Sequence, residues 1–255
     1  MPASKRLQKI VDQLAKRYEV EGKKGELTDL RDPFQVGAWS ILGHHAKRNG
    51  QARAYDALRR AKGVTPGQLL DIAPEKFTTI CQTAGPYDDR RAKELYSYAD
   101  VIEEKCGKDF IKIFKKPLPE ARKFIEVELG KTRSFADLLL MYSGFPVFAL
   151  DPRIARVAVR LGFAKMKSEK DYEKSYIEIQ KALEAEAPKK EPDELIRIHG
   201  LLFRHGGDVC HLVSPNCENC LVVKECLYVK KHPIKPRDPN AAPVYQSGRF
   251  RYQQS

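Results

Sequence analysis

Four cysteines fall within residues 210–226, CHLVSPNCENCLVVKEC, and only two others, Cys81 and Cys106, occur in the 255-residue chain. Thiolates that converge on one point bind soft metals. Cys210, Cys217, Cys220 and Cys226 are therefore candidate ligands of zinc or of an iron–sulfur cluster. Paired disulfides are a poor alternative, because no charged-then-apolar leader marks the chain for export. Zinc ribbons and fingers usually divide their ligands into two close pairs with a long spacer between them. Here the spacing is C-x6-C-x2-C-x5-C, a compact loop with one ligand set back from the rest. A second residue stands out by position. Asp151 follows the apolar run Val147–Leu150 and precedes Pro152, which opens a helical pattern. A carboxylate there caps a helix by default.

The elements that must position these groups read as helices. Leu7, Ile10, Val11 and Leu14 form one stripe of an amphipathic N-terminal helix, and the polar stretch EGKKGELTDLRDP reads as a connection. Helical patterns follow around Trp39, over QARAYDALRRAKG, TPGQLLDI and PEKFTTICQTAG, and over DDRRAKELYSYADVIEEKCG with Leu95, Tyr98, Ala99 and Ile102 packed. LPEARKFIEVELG and SFADLLLMYSGF are two helices joined by a few residues, and three more precede or lead into the cysteines. Only PVFAL alternates at a period of two. The expectation is an all-α protein of about ten helices. The tail, rich in Pro, Arg and Tyr without a helical stripe, reads as a flexible basic arm.

Lys and Arg outnumber Asp and Glu by 46 to 34, a net charge of +12. Residues 231–255 carry five Lys or Arg against one Asp, so most of the excess lies on the body. Such a balance suits a polyanionic partner. The absence of a long apolar run argues against a membrane span and for an intracellular, cytoplasmic or nucleoid-associated protein.

The cysteine spacing resembles the cluster loop of the endonuclease III family of DNA glycosylases, in which it holds a [4Fe–4S] cluster. SGFPVFALDPRIARVAVRLGF resembles the segment of that family carrying the catalytic aspartate, with Gly144, Pro146, Asp151 and Arg156-Val157 in place. The resemblance implies two all-α helical lobes flanking a DNA groove: a barrel over 33–149 that ends in the helix-hairpin-helix, and a cluster lobe over 150–230. Residues 1–32 pack in the cluster lobe, and 231–255 form the tail. It also implies a monomer acting on double-stranded DNA with a damaged or mismatched base, with Asp151 stabilising the positive charge that develops on the sugar or activating water. DPFQVGAWSILGHHAK and AGPYDDRRAKEL resemble the family's two lesion-probing segments, which places His45, Pro86 and Tyr87 beside the gap left by an extruded base. His44, His45, Trp39 and Tyr142 either line a base pocket or pack.

The resemblance breaks at the hairpin. The family motif L-P-G-x-G-x-K-T-A supplies a phosphate-binding turn and a nucleophilic lysine, whereas this chain reads ELGKTRSFADLLL. Counting back from Asp151 puts Arg133 in the lysine's place, and aligning Gly130 and Ala136 puts Ser134 there. Neither is an amine nucleophile. Gly130, Lys131, Thr132, Arg133 and Ser134 are the candidate phosphate contacts, with Lys131 also an off-register amine. The implied activity is base removal with weak or absent strand cleavage. The alternatives are a non-catalytic reader of distorted or abasic DNA and a lyase using another amine. Ile41 stands where adenine-excising relatives have a glutamate, and the loop HLVSPN lacks the basic residues usual between the first two cysteines.

Overall fold

The computed structural model describes residues 3–19, 30–46, 49–167, 171–187 and 191–234. The connection over 20–29 and the tail from 235 lie outside the described residues, and the last described helix ends at Lys231. Among the described residues the chain is all helix and loop, with no strand.

Thirteen α-helices are described: α1 (Ala3–Tyr18), α2 (Pro33–Gly43), α3 (Gly50–Arg60), α4 (Pro66–Leu70), α5 (Pro74–Gln82), α6 (Asp88–Lys105), α7 (Phe110–Ile113), α8 (Leu118–Lys123), α9 (Arg133–Tyr142), α10 (Pro152–Leu161), α11 (Tyr172–Glu186), α12 (Pro192–Asp208) and α13 (Leu227–Lys231). The number exceeds the ten or so expected because α7 and α13 are only about a turn long, too short to show a periodic stripe. LPEARKFIEVELG also differs from expectation. It is helical only through Lys123, then widens into a π turn over Phe124–Glu128.

The apolar stripes locate the core. Leu7, Ile10, Val11 and Leu14 are fully buried where α1 packs on α11 and α12. Each such side chain contributes roughly 1.5–3 kcal/mol by leaving water. Central α2 packs on α3, α6 and α9, while α10 packs on α11, α12 and α13. The start of the chain therefore lies against its C-terminal third, with α2–α9 grouped between them in sequence.

Two helices matter most for the site. The π turn ends at Leu129, Gly130 takes the left-handed φ of +58° that reverses the chain, and the Thr132 hydroxyl caps α9 at the Phe135 amide (3.3 Å). This makes a helix–hairpin–helix from α8 and α9. α10 opens with Asp151 as its cap and Pro152 as first residue, and closes at Gly162 with φ +85°. The left-handed φ favours glycine there, and a side chain at Gly162 would also displace Leu227 of α13, whose Cδ1 lies 2.2 Å from the Cβ position.

Candidate active site

Asp151 uses its two oxygens differently. Oδ1 accepts the Ile154 amide at 2.8 Å, and Oδ2 faces Arg153 Nε at 3.7 Å. The side chain remains about a quarter exposed, so solvent reaches it. Burial pushes the carboxyl above its ordinary value. Arg153, the amides of Ile154 and Arg153, and Arg156 pull the other way without cancelling the burial. Arg153 lies over the Phe203 ring, 4.4 Å from its centroid, which fixes the cation beside the acid.

The segment that delivers Asp151 is buried yet non-helical, so its backbone must find partners elsewhere. A polar stripe on α11 supplies them. Glu184 Oε1 accepts the Phe148 amide (2.9 Å) and Gln180 donates to the Phe148 carbonyl (2.8 Å). The Tyr176 hydroxyl accepts the Leu150 amide (3.3 Å), while Tyr172 donates to the Leu150 carbonyl (2.8 Å). Tyr172, Tyr176, Gln180 and Glu184 recur every four residues, one helical turn apart, and together act as a neighbouring strand would. The stripe is anchored by Asp137, which is fully buried in α9. Asp137 accepts from Tyr176 (3.0 Å), Gln180 (2.7 Å) and Arg122 of α8 (2.9 Å).

Neither Asp137 nor the stripe was anticipated from the sequence. The available signal was a set of four polar residues at helical spacing. Tyr176→Phe is expected to leave the buried Leu150 amide without a partner and Asp137 Oδ2 with Gln180 as its remaining hydrogen bond, at about 1–3 kcal/mol. Urea denaturation checks this, and an unchanged midpoint would show that the stripe does not hold the segment.

The hairpin residues divide. Ser134 crosses to the segment that leads into α10, donating from Oγ to the Leu150 carbonyl. Arg133 stays with its own helix, with Nε 3.6 Å from Asp137 Oδ2. Lys131 turns into the α2–α9 group. Its ammonium is 3.3 Å from Glu94 Oε1 and lies over the rings of Tyr98 and Phe135, with the side chain 14 % exposed. Gly130 and Thr132 are exposed at the turn.

His45 lies exposed after α2, and Pro86 and Tyr87 lie exposed between α5 and α6, with the His45 and Tyr87 rings 5.1 Å apart. His44 Nδ1 is 3.2 Å from Glu94 Oε2. Burial acts upward on Glu94, but His44 and Lys131 hold it down at about 2. Trp39 and Tyr142 pack in the core, the former edge-on to Tyr55. Ile41 is also fully buried.

All four clustered cysteines line one cavity, together with Val157, Leu161, Val209 and Val222. Arg160 of α10 donates to Cys210 Sγ (3.3 Å), the His211 carbonyl (2.7 Å) and the Leu212 carbonyl (3.1 Å). Arg156 binds the carbonyls of Cys210 (2.8 Å) and Gly206 (3.0 Å). The helix that begins at Asp151 thus carries the cysteine loop on its next turns. Among the described residues no three His, Cys, Asp or Glu side chains converge on a single ion position. The HLVSPN loop ends in an exposed apolar tip, with Val213 76 % exposed.

No family model matches this chain. Endonuclease III of Haemophilus influenzae is 25 % identical over 201 residues, covering 78 % of this chain and 85 % of the relative. Endonuclease III of Thermotoga maritima is 22 % identical over 228 residues, covering 88 % and 94 %. A trapped endonuclease III–DNA covalent intermediate shares the fold with a TM-score of 0.64 at 20 % identity, over 91 % of this chain and 99 % of that one. A thermostable thymine-DNA glycosylase does so with a TM-score of 0.66 at 17 % identity, over 89 % and 98 %. By its sequence relatives and its fold together, the chain is similar to the endonuclease III-like helix-hairpin-helix glycosylases.

Proposed function

We propose that this protein is a monofunctional DNA glycosylase: it hydrolyses the base–sugar bond of a damaged or mismatched base and leaves the strand intact. DNA glycosylase activity in general is supported by the endonuclease III relatives, and DNA binding by structural neighbours solved as DNA complexes. The observation that carries the finer reading is the pairing of a solvent-reachable Asp151 with the absence of a lysine at either hairpin position. The spare amine, Lys131, is held by Glu94.

Departure of the base develops positive charge on the deoxyribose. An ionised Asp151 beside it stabilises that charge and orients or deprotonates water. Asp151 is suited to this because its Oδ1 is fixed by the helix cap while Oδ2 is left facing Arg153 on a side chain that solvent still reaches. Ser134 and Arg133 cannot form a Schiff base, so the sugar is not opened for elimination.

The donor set fits a [4Fe–4S] cluster held by Cys210, Cys217, Cys220 and Cys226. The four thiols share one cavity with an apolar lining, and Arg160 is aimed at a sulfur. Thiolates on four different corner irons stand further apart than ligands of one zinc ion. Four thiols around one cavity suit such a cluster, whose thiolates are spread over its irons. When bound it would serve to fold the loop.

The test is a panel of end-labelled duplexes carrying uracil, thymine opposite guanine, oxidised pyrimidines, alkylated purines, hypoxanthine or an abasic site. Each is incubated with protein and resolved with and without alkali. Alkali-dependent bands are expected for at least one base, with no borohydride-trapped adduct. Cleavage without alkali, or trapping, would establish a lyase. Tight binding with no product across the panel would leave a non-catalytic DNA reader.

A further inference from the structure

Arg91 lies near the start of α6 and is 1 % exposed. Its guanidinium is bound by three backbone carbonyls rather than by a carboxylate: Nε donates to His44 O (3.1 Å), Nη1 to Gly85 O (3.0 Å) and Nη2 to Pro86 O. Two of these carbonyls belong to the peptides that lead directly into His45 and Tyr87. Both residues have left-handed backbones, at φ 52° and 66°. Side-chain-bearing residues adopt that conformation at a cost, and it persists where surrounding contacts over-determine it.

Here one buried cation does so for two loops that are far apart in sequence. The outcome is a pair of exposed rings 5.1 Å apart, neither in the core. One turn further along α6, Glu94 receives His44 and Lys131, which ties the same platform to the hairpin turn.

We propose that Arg91 is a positioning residue for DNA recognition, assembling His45 and Tyr87 into one prebuilt stacking edge for the bases that flank an extruded or missing nucleotide. This rests on the DNA-binding part of the proposed function and not on catalysis. Aromatic rings stack on any base, and an edge that is already ordered loses less entropy on binding than two mobile loops. Lysine cannot replace Arg91, because only the planar fork addresses three carbonyls in fixed directions.

The experiment uses fluorescence anisotropy with the full chain on two duplexes, one intact and one carrying a central tetrahydrofuran abasic analogue. Arg91→Lys is expected to lower the preference for the abasic duplex by about tenfold while leaving affinity for the intact duplex and its salt dependence within about twofold. A wild-type preference in a folded Arg91→Lys protein overturns the proposal. Equal losses on both duplexes would mark Arg91 as merely structural and also overturn it.

A cycle of His45→Ala and Tyr87→Ala does not depend on how Arg91→Lys folds. Each single change should remove nearly the whole preference and the double change no more, whereas additive losses overturn the single-edge proposal. Wild-type protein that binds neither duplex overturns the DNA reading and this proposal together. Wild-type protein with a preference that these variants retain overturns this proposal alone.

Discussion

Asp151→Asn is expected to lower single-turnover base excision by about 10²–10⁴-fold while DNA binding persists and the protein stays at least as stable as wild type. The stability half of this expectation follows from the geometry of the cap. Asparagine caps helices as well as aspartate does, so the bond from the Ile154 amide survives the change. What disappears is a charge that burial disfavours.

The Asp151 carboxyl is raised above its ordinary 3.8, so between that value and its folded-state value the native protein binds more protons than the unfolded chain. Stability therefore falls as pH rises through that window, and the deficit remains at neutral pH. Asparagine removes the deficit. The ionised form is the working form, so the acid limb of wild-type excision should lie above the range of an ordinary aspartate. Asp151→Ala separates the two roles, because it also loses the cap, at about 1 kcal/mol. Thermal melts, anisotropy and single-turnover rates across pH read all three effects. Full activity in Asp151→Asn would remove Asp151 from the mechanism.

The other large effect concerns the cysteine loop. Cys217→Ser should abolish iron incorporation and leave little soluble protein. Serine is not ionised at neutral pH and cannot replace a thiolate on iron. The loop has little regular structure to fall back on: short 3₁₀ turns over Cys217–Asn219 and Val223–Glu225, around a cavity that the four thiols share with apolar side chains. Metal binding contributes on the order of 10 kcal/mol at structural zinc sites, comparable to the whole stability of a domain.

The damage would not stay local. Arg6 and Lys9 of α1 bind Glu225, and Arg17 reaches the Asn219 carbonyl, so the first helix docks on the loop. Iron and sulfide analysis with the visible spectrum of the purified protein checks the cofactor directly. Zinc in place of iron would replace the cluster reading, and a folded, active, iron-free Cys217→Ser would show that the loop needs no metal.

Much of this was legible in the sequence because it is local. The stripe Leu7, Ile10, Val11 and Leu14 repeats at the helical period, and all four residues are buried. Asp151 and Pro152 mark a helix start by side-chain chemistry that acts within three residues. The cysteine spacing and the aspartate segment pointed to the family for the same reason. What failed was also local in origin: α7 and α13 are too short to carry a period, and the π turn after Lys123 has the same residue types as a continuing α-helix.

By itself the sequence determined which segments become helices, where they begin, and which thiols and carboxylate are grouped to do chemistry. Only the tertiary structure decided what those groups face. Asp137 was one more polar residue within an apolar helix until α11 brought Tyr176 and Gln180 to it, and Arg91 was one of a run of surface-like charges until two loops closed over it. Lys131 seemed free to meet a phosphate until α6 placed Glu94 within 3.3 Å. The physical reason is that hydrophobicity and helix capping act over a few residues along the chain. The partner of a buried charge or an unpaired carbonyl is set by which elements pack together, 37 residues away for Lys131 and Glu94 and 47 for Arg91 and His44.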